Sequence, residues 1–372
     1  MKIPSLLVSL LALAVAARAQ DTIKIGEFAS LTGKDATFGQ SQHKGITLAL
    51  EEINAAGNTL GKKIEVLVED NQSKPGESAT VAKKLLSREK VIALLGEVTS
   101  GRSLEVAPLA QGAKIPMIAT GATNPAVTQK GDYIFRVCFI DDFQGTVMAK
   151  FALADLKAKK VATLTSVSSA YSVGLAKFFK ETFTAGGGTV VAEQKFNEGD
   201  KDFRAQLTAI KAASVDAVFV PGYYTEVALI ARQARSLGLT VPLFGGDGWE
   251  SEKLLEIGGD ALNGCFYSTH FTPENKDPKT AEFVKKFKAR WSNETPDAYA
   301  ALGYDALYIL VDALKRTGGT EGPKLRDAIA ATKNFSGASG VTTLDKDRNA
   351  SKPATIIAVK DGRLQFYKTV AP

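Results

Sequence analysis

The chain has 372 residues, a formal net charge of +6, 45% hydrophobic residues and 23% charged residues. That is ordinary globular composition, too long for one small core and suited to two domains. Its basic residues are scattered (Lys83-Lys84, Lys157 to Lys160, Lys285 to Lys288) with only Phe287 among them and no longer run interleaved with aromatics, so the sequence offers no nucleic-acid site.

The N-terminus reads as a secretory signal. Lys2 supplies a short positive region, Ser5 to Ala16 an apolar stretch, and Ala17-Arg18-Ala19 a small-x-small cleavage site. The apolar run from Ile3 to Ala17 is shorter than the roughly 20 residues of a spanning helix. Residues 1–19 are therefore expected to be a signal peptide cleaved after Ala19, leaving an exported, periplasmic protein. No cysteine stands at the cleavage point, so no lipid anchor is expected.

Beyond the signal, apolar strands alternate with amphipathic helices. Thr22 to Phe28 reads as a strand, Gly39 to Ile53 as a helix, Lys63 to Val68 as a strand and Ser78 to Ser87 as a helix. Strand Val91 to Leu95, helix Arg102 to Gly112 and strands Ile115 to Ala119 and Tyr133 to Phe139 follow. The cycle then restarts with helix Phe143 to Leu156, strand Lys160 to Leu164, helix Tyr171 to Ala185 and strand Thr189 to Lys195. Helix Phe203 to Ala213, strand Ala217 to Val220, helix Glu226 to Leu237 and strand Pro242 to Gly245 complete it. Such alternation means right-handed βαβ units and parallel sheets, and its repetition predicts an α/β fold of two doubly wound lobes.

The last third breaks the rhythm. Strand Cys265 to His270 is followed by helices Lys279 to Trp291, Pro296 to Arg316 and Gly322 to Ala331. A turn-rich stretch leads to a hairpin, Ala354 to Lys360 and Arg363 to Lys368, around Asp361-Gly362. Helices without new strands are expected to return to the first lobe, so the chain crosses between lobes more than once and leaves a ligand cleft between them.

Two of the predicted strands end in polar cradles. Gly96-Glu97-Val98-Thr99-Ser100 and Thr120-Gly121-Ala122-Thr123-Asn124-Pro125 offer hydroxyls and N–H groups suited to a carboxylate-sized anion. Asp247, from a distant segment, offers a carboxylate for a cation opposite. Anion at one end and ammonium at the other outline an α-amino acid. Read singly, Ser100 and Thr123 are also plausible helix N-caps, Asp247 a turn residue in Gly245 to Gly248, and Tyr171 and Tyr223 ordinary half-buried aromatics.

Catalytic signatures are missing from the sequence. There is no G-x-S-x-G elbow, no Walker A and no G-x-G-x-x-G directly after a strand. Two His (His43 and His270) make a His-based triad implausible, and two Cys without a Cys-x-x-Cys leave a transition metal almost no ligands. The carboxylate pairs Asp141-Asp142 and Glu51-Glu52 read as solvated or helix-capping. No enzymatic activity, cofactor or metal is expected.

The residues now add up to a resemblance. Ile25-Gly26-Glu27-Phe28 to Leu31-Thr32-Gly33, Phe38-Gly39, Gly45, Ala49-x-x-Glu52-Ile53-Asn54, Asp70-Asn71, Ala119 to Pro125 and Arg136 resemble the periplasmic leucine/isoleucine/valine-binding proteins. So do Gln144-Gly145, Tyr171-Ser172-x-Gly174 and Gly222-Tyr223-Tyr224. The resemblance implies a two-lobed, three-crossover fold that closes on an amino acid and delivers it to the permease of an ABC importer. It implies residues 20–139 and 270–338 in one lobe, 140–269 and 339–372 in the other, and a monomer. It further implies a carboxylate clamp of Ser100, the Gly121 N–H and Thr123, and an ammonium site at Asp247, where relatives often have Glu. Tyr171 and Tyr223 match residues that meet the ligand backbone; Phe38 and Tyr299 match aromatics of the side-chain pocket. Trp249 has no such match. Cys138 and Cys265, each just before a proposed crossover, are expected to pair as a disulfide, two buried thiols being the alternative. Other ligands open to this fold are urea, a short-chain amide or an aromatic acid; an exported hydrolase or a sensory ectodomain is a more distant reading.

Overall fold

The structure, a computed structural model, describes residues 22–57 and 59–372, so the expected signal peptide lies outside the described residues. The first lobe begins with β1 (Thr22–Ala29), α1 (Ala36–Ala56), β2 (Lys63–Asp70) and α2 (Glu77–Lys83, continued by a π-helical stretch over Lys84–Glu89). β3 (Leu94–Leu95), α3 (Ser100–Ala113), β4 (Met117–Ala119) and β5 (Ile134–Arg136) follow. The five strands make one parallel sheet in the order β2-β1-β3-β4-β5. β3, β4 and β5 are buried at every position, which is why they read as unbroken apolar runs, whereas edge strand β2 is largely exposed.

The second lobe starts with α4 (Asp141–Ala154), β6 (Lys160–Ser166), α5 (Ala170–Ala185), β7 (Thr189–Phe196) and α6 (Arg204–Ala212). It continues through β8 (Ala217–Phe219), α7 (Tyr224–Ser236), β9 (Leu243–Gly245), α8 (Glu252–Gly258) and β10 (Phe266–Thr269). The chain then returns to the first lobe as α9 (Pro278–Arg290), α10 (Ala298–Thr317) and α11 (Gly322–Ala330). The short strands β11 (Phe335–Gly337), β12 (Gly340–Leu344) and β13 (Ala350–Ser351) come next, and β14 (Ala354–Lys360) and β15 (Arg363–Val370) end the chain. The second sheet runs β15-β14-β10-β9-β8-β6-β7 and is parallel except at β14 and β15. The chain therefore leaves the first sheet after β5, leaves the second after β10, and rejoins the second at β14. The two-lobed α/β architecture expected from the alternation is the one observed, and it crosses three times as the resemblance implied.

α10 is held hard against α1. A Cβ at Gly45 would lie 1.9 Å from the Ala300 carbonyl oxygen, and one at Gly303 would lie 2.6 Å from that of Gln42. Only glycine permits that approach, and it carries α10 and its first-turn residue Tyr299 to the cleft. Asp297 caps α10, its carboxylate accepting the Ala300 N–H at 2.9 Å.

Two expectations are corrected here. The stretch after α11 that read as turns forms the antiparallel sheet β11-β12-β13, whose strands of three, five and two residues are too short to show alternation. Cys138 and Cys265 are separate, buried thiols rather than a disulfide. Cys138 follows β5 of the first sheet and Cys265 precedes β10 of the second, so lying next to a crossover does not make them neighbours. Burial pushes the Cys138 thiol up to about 12, and Cys265 Sγ lies 3.7 Å from the Arg235 guanidinium.

Candidate functional site

Both walls of the cleft are built from segments that leave the carboxyl ends of strands, where an open α/β sheet exposes free backbone groups. On the first wall, the loop from β3 into α3 is fixed by Glu97. Its buried carboxylate accepts from Ser30 Oγ, from Asn71 Nδ2 at 2.9 Å and from the Thr99 N–H at 2.9 Å. Ser100 Oγ accepts the N–H of Asn124 at 3.1 Å, so it ties the two polar loops together rather than capping α3. Beneath them the buried Arg136 guanidinium donates to the carbonyls of Ala122 and Asn124, the latter at 2.9 Å. Gly121 faces Tyr299, whose ring would stand 2.8 Å from a Cβ there. Thr123 is 1% exposed, and its hydroxyl stands beside the Asp141 carboxyl, which it helps hold.

On the second wall, Tyr171 and Tyr223 stack with ring centroids 5.2 Å apart and planes within 8°. The Tyr171 hydroxyl accepts the Gly248 N–H at 3.1 Å. Asp247, 2% exposed, accepts from Gln144 Nε2 at 2.8 Å on one carboxylate oxygen and from His270 Nε2 at 3.0 Å on the other. Phe38 meets Tyr223, Tyr224 and Tyr299 edge-on at 5.6, 5.0 and 5.0 Å. Tyr299 donates its hydroxyl to the Asp247 carbonyl at 2.8 Å. These contacts join Gly121, Tyr171, Tyr223, Asp247, Phe38 and Tyr299 into one buried region between the lobes, with Ser100 and Thr123 on the two polar loops that carry Gly121. Trp249 is turned away from it: its indole N–H donates to the Val220 carbonyl at 2.8 Å within the second lobe.

Three residues of the site escaped the sequence reading. Asp141, taken as solvated or capping, is fully buried beside the Thr123 hydroxyl. Burial and the nearby Asp247 charge push its carboxyl well above the usual range. Gln144 and His270 hold Asp247 from two sides. His270 also packs tilted against Phe139, ring centroids 3.7 Å apart, and burial lowers its pKa. The pairing Gln144-Gly145 stood among the quoted motifs and was the available signal for Gln144; nothing comparable marked Asp141 or His270.

The lobes also meet outside this region. The Lys34 carbonyl accepts both the Tyr224 hydroxyl at 2.8 Å and the Thr225 hydroxyl at 3.2 Å. The Lys34 ammonium lies 3.3 Å from Glu198, Thr37 meets Ser251 at 2.9 Å, and Asn124 Nδ2 donates to the Ala170 carbonyl at 2.7 Å. The lobes are thus closed on one another. Hydroxyl groups stand on one wall and acidic acceptors on the other, with aromatic rings at one side. A small molecule with an anionic end, an N–H donor end and an apolar body meets complementary groups there. Among the described residues no three metal-ligating side chains cluster.

The chain matches the model of the family described as periplasmic binding protein over residues 22–363. It is similar to a leucine binding protein, LivK, from Thermotoga maritima, with 41% identity, a TM-score of 0.91, and coverage of 94% of this chain and 99% of that one. It is similar to the branched-chain amino acid transporter substrate binding protein LivJ from Streptococcus pneumoniae, solved with isoleucine, at 36% identity and a TM-score of 0.89; 95% of this chain and all of that chain are covered. A solute binding protein of an ABC transporter from R. palustris, solved with benzoate, shares 25% identity and a TM-score of 0.86 over 95% of this chain and 97% of that one.

Proposed function

Because the chain belongs to the periplasmic binding protein family, we propose that it captures a neutral aliphatic α-amino acid between its lobes and hands it to an ABC importer's permease. Leucine, isoleucine and valine lead the ligand classes. In this reading the protein is an exported, non-enzymatic monomer whose lobes comprise residues 20–139 with 270–338 and 140–269 with 339–372. What supports this reading is the Asp247 carboxylate, buried in the closed cleft on a segment whose main chain is bonded to Tyr299 of the facing lobe. Ser100, the Gly121 N–H and Thr123 receive the ligand carboxylate, and Asp247 receives its ammonium. Tyr171 and Tyr223 flank its main-chain atoms; Phe38 and Tyr299 flank its side chain. The ligand touches both walls only when they meet, so binding favours closure.

A second reading, an aromatic acid, is favoured by the benzoate-bound relative and by the rings of Phe38, Tyr223 and Tyr299. Against it stands Asp247, which would face an acid carrying no ammonium. Calorimetry with leucine, its α-keto acid and benzoate separates the two. Leucine is expected to bind and the other two are not; comparable binding of leucine and its keto acid would sink the amino-acid reading.

A further inference from the structure

Arg136, the last residue of β5, is fully buried and reaches under the loop that carries Gly121 and Thr123. Its guanidinium donates to the carbonyls of Ala122, of Asn124 at 2.9 Å and of Pro125 at 3.4 Å, and to the Thr128 hydroxyl at 3.4 Å. The Cys138 thiol stands beside it. None of these partners is a carboxylate. The acidic groups that bear on it are Asp141 and Asp345. Burial and the Asp247 charge push the Asp141 carboxyl well up, so it resists ionising, and Asp345 is exposed to screening water. A buried cation so weakly compensated is costly, and an anion brought near it is correspondingly favoured.

The same loop holds donors with nothing to receive them. The Asn124 N–H goes to Ser100 Oγ, the Ala126 N–H to Asn124 Oδ1 and the Val127 N–H to the Asn124 carbonyl. The N–H groups of Gly121, Ala122 and Thr123 have no acceptor among the described residues, although all of these residues are buried. Unpaired buried N–H groups are rare in folded proteins. Arg136 sets the direction of one of them. In a trans peptide the carbonyl and the following N–H point opposite ways. The Ala122–Thr123 peptide is trans and its oxygen is held by Arg136, so the Thr123 N–H points away from the guanidinium. A cation on the oxygen also polarises the peptide and strengthens that donor.

We propose that Arg136 is a positioning residue for the ligand carboxylate, an inference that rests on the amino-acid reading above. It does not touch the ligand. It turns the Ala122–Thr123 peptide so that the Thr123 N–H serves the carboxylate, and through that peptide its charge favours an anion over a neutral group at this end of the cleft. Asp247 selects the ammonium from one side; Arg136 selects the carboxylate from the other.

Calorimetry with leucine and leucinamide tests this, since the amide keeps the side chain and the ammonium but lacks the carboxylate. Wild type is expected to prefer leucine by at least about a hundredfold, a charge-assisted clamp set against a neutral amide. Arg136→Met, similar in length but uncharged, is expected to shrink that preference at least about tenfold, with the loss falling on leucine. Arg136→Lys keeps the charge and is expected to hold the preference within about threefold of wild type. A role in the fold alone weakens both ligands together, so an unchanged preference in Arg136→Met overturns the proposal, as does an equal collapse of preference in both variants. Should Arg136→Met not fold, the wild-type amide resonance of Thr123 decides by NMR: leucine is expected to move it downfield and leucinamide to move it far less. Equal shifts overturn the proposal. Failure of wild type to bind leucine at all sinks the amino-acid reading and this assignment with it; an unchanged preference in a protein that binds leucine sinks this assignment alone.

Discussion

The Tyr299 hydroxyl, on a helix of the first lobe, donates to the main-chain carbonyl of Asp247, in the second lobe, at 2.8 Å. One bond thus joins an aromatic of the proposed side-chain pocket to the residue proposed for the ammonium. Placement of the ring and placement of the carboxylate are consequently not independent. The Asp247 side chain is set in turn by Gln144 and His270, which hold its two oxygens in a fixed attitude.

Replacing Asp247 tests the ammonium assignment. Asp247→Asn keeps the shape and leaves Gln144 and His270 a polar neighbour, but removes the charge. By analogy with truncated buried charge pairs the loss is about 2–5 kcal/mol, or roughly thirtyfold or more in leucine affinity. Calorimetry reads it; affinity within about threefold of wild type would reduce Asp247 to a turn residue.

Thr123→Val should separate binding from stability. The buried hydroxyl stands beside the Asp141 carboxyl, so losing it should lower the melting temperature only slightly. Leucine affinity should fall by about tenfold, the worth of a hydrogen bond to a charged group. A drop in melting temperature with affinity intact would show that the hydroxyl serves the fold.

The acid side of the stability curve should carry the signature of His270. Burial depresses its pKa in the folded protein, so the unfolded chain takes the proton first as pH falls. Its contribution is present above about 6.5, the unfolded value, and is lost as pH drops below it. His270→Gln keeps a donor for Asp247 without titrating, so its stability should decline less below about 6.5. His43 acts in the opposite sense: its hydrogen bond to Glu27 raises its pKa, but that effect is common to both proteins and cancels in the difference. Identical melting curves across this range would remove His270 from the account.

Thiol chemistry checks the cysteines. Cys138 and Cys265 are both buried, so neither should react with iodoacetamide in the native protein. Both should be alkylated after unfolding without reductant. A mass unchanged under those conditions would restore the disulfide.

The fold was legible where burial imposes a pattern. β8 and β9, three buried residues each, stand out as apolar runs between helices with polar faces, and that rhythm yields the parallel sheets. β11 to β13 were not legible, because two to five residues carry no period and their identity lies in pairing, such as Thr343 with Ser351. At the site, Ser100, Thr123 and Asp247 could be picked out because each closely follows a strand. Gln144 could not be assigned its partner, since Asp247 is 103 residues away and only closure of one lobe's connections brings them together. Asp141 sits at the start of α4, where an acidic residue suits a helix N-terminus anyway; that ordinary explanation hid its burial beside Asp247.

The clasp at Lys34 has an evolutionary consequence. Tyr224 and Thr225 reach across to the peptide oxygen of residue 34, an atom that every amino acid supplies. Drift at this position can erase the ammonium's attraction to Glu198 without touching those two bonds. The charge beside the clasp can thus change while the grip between the halves is inherited intact.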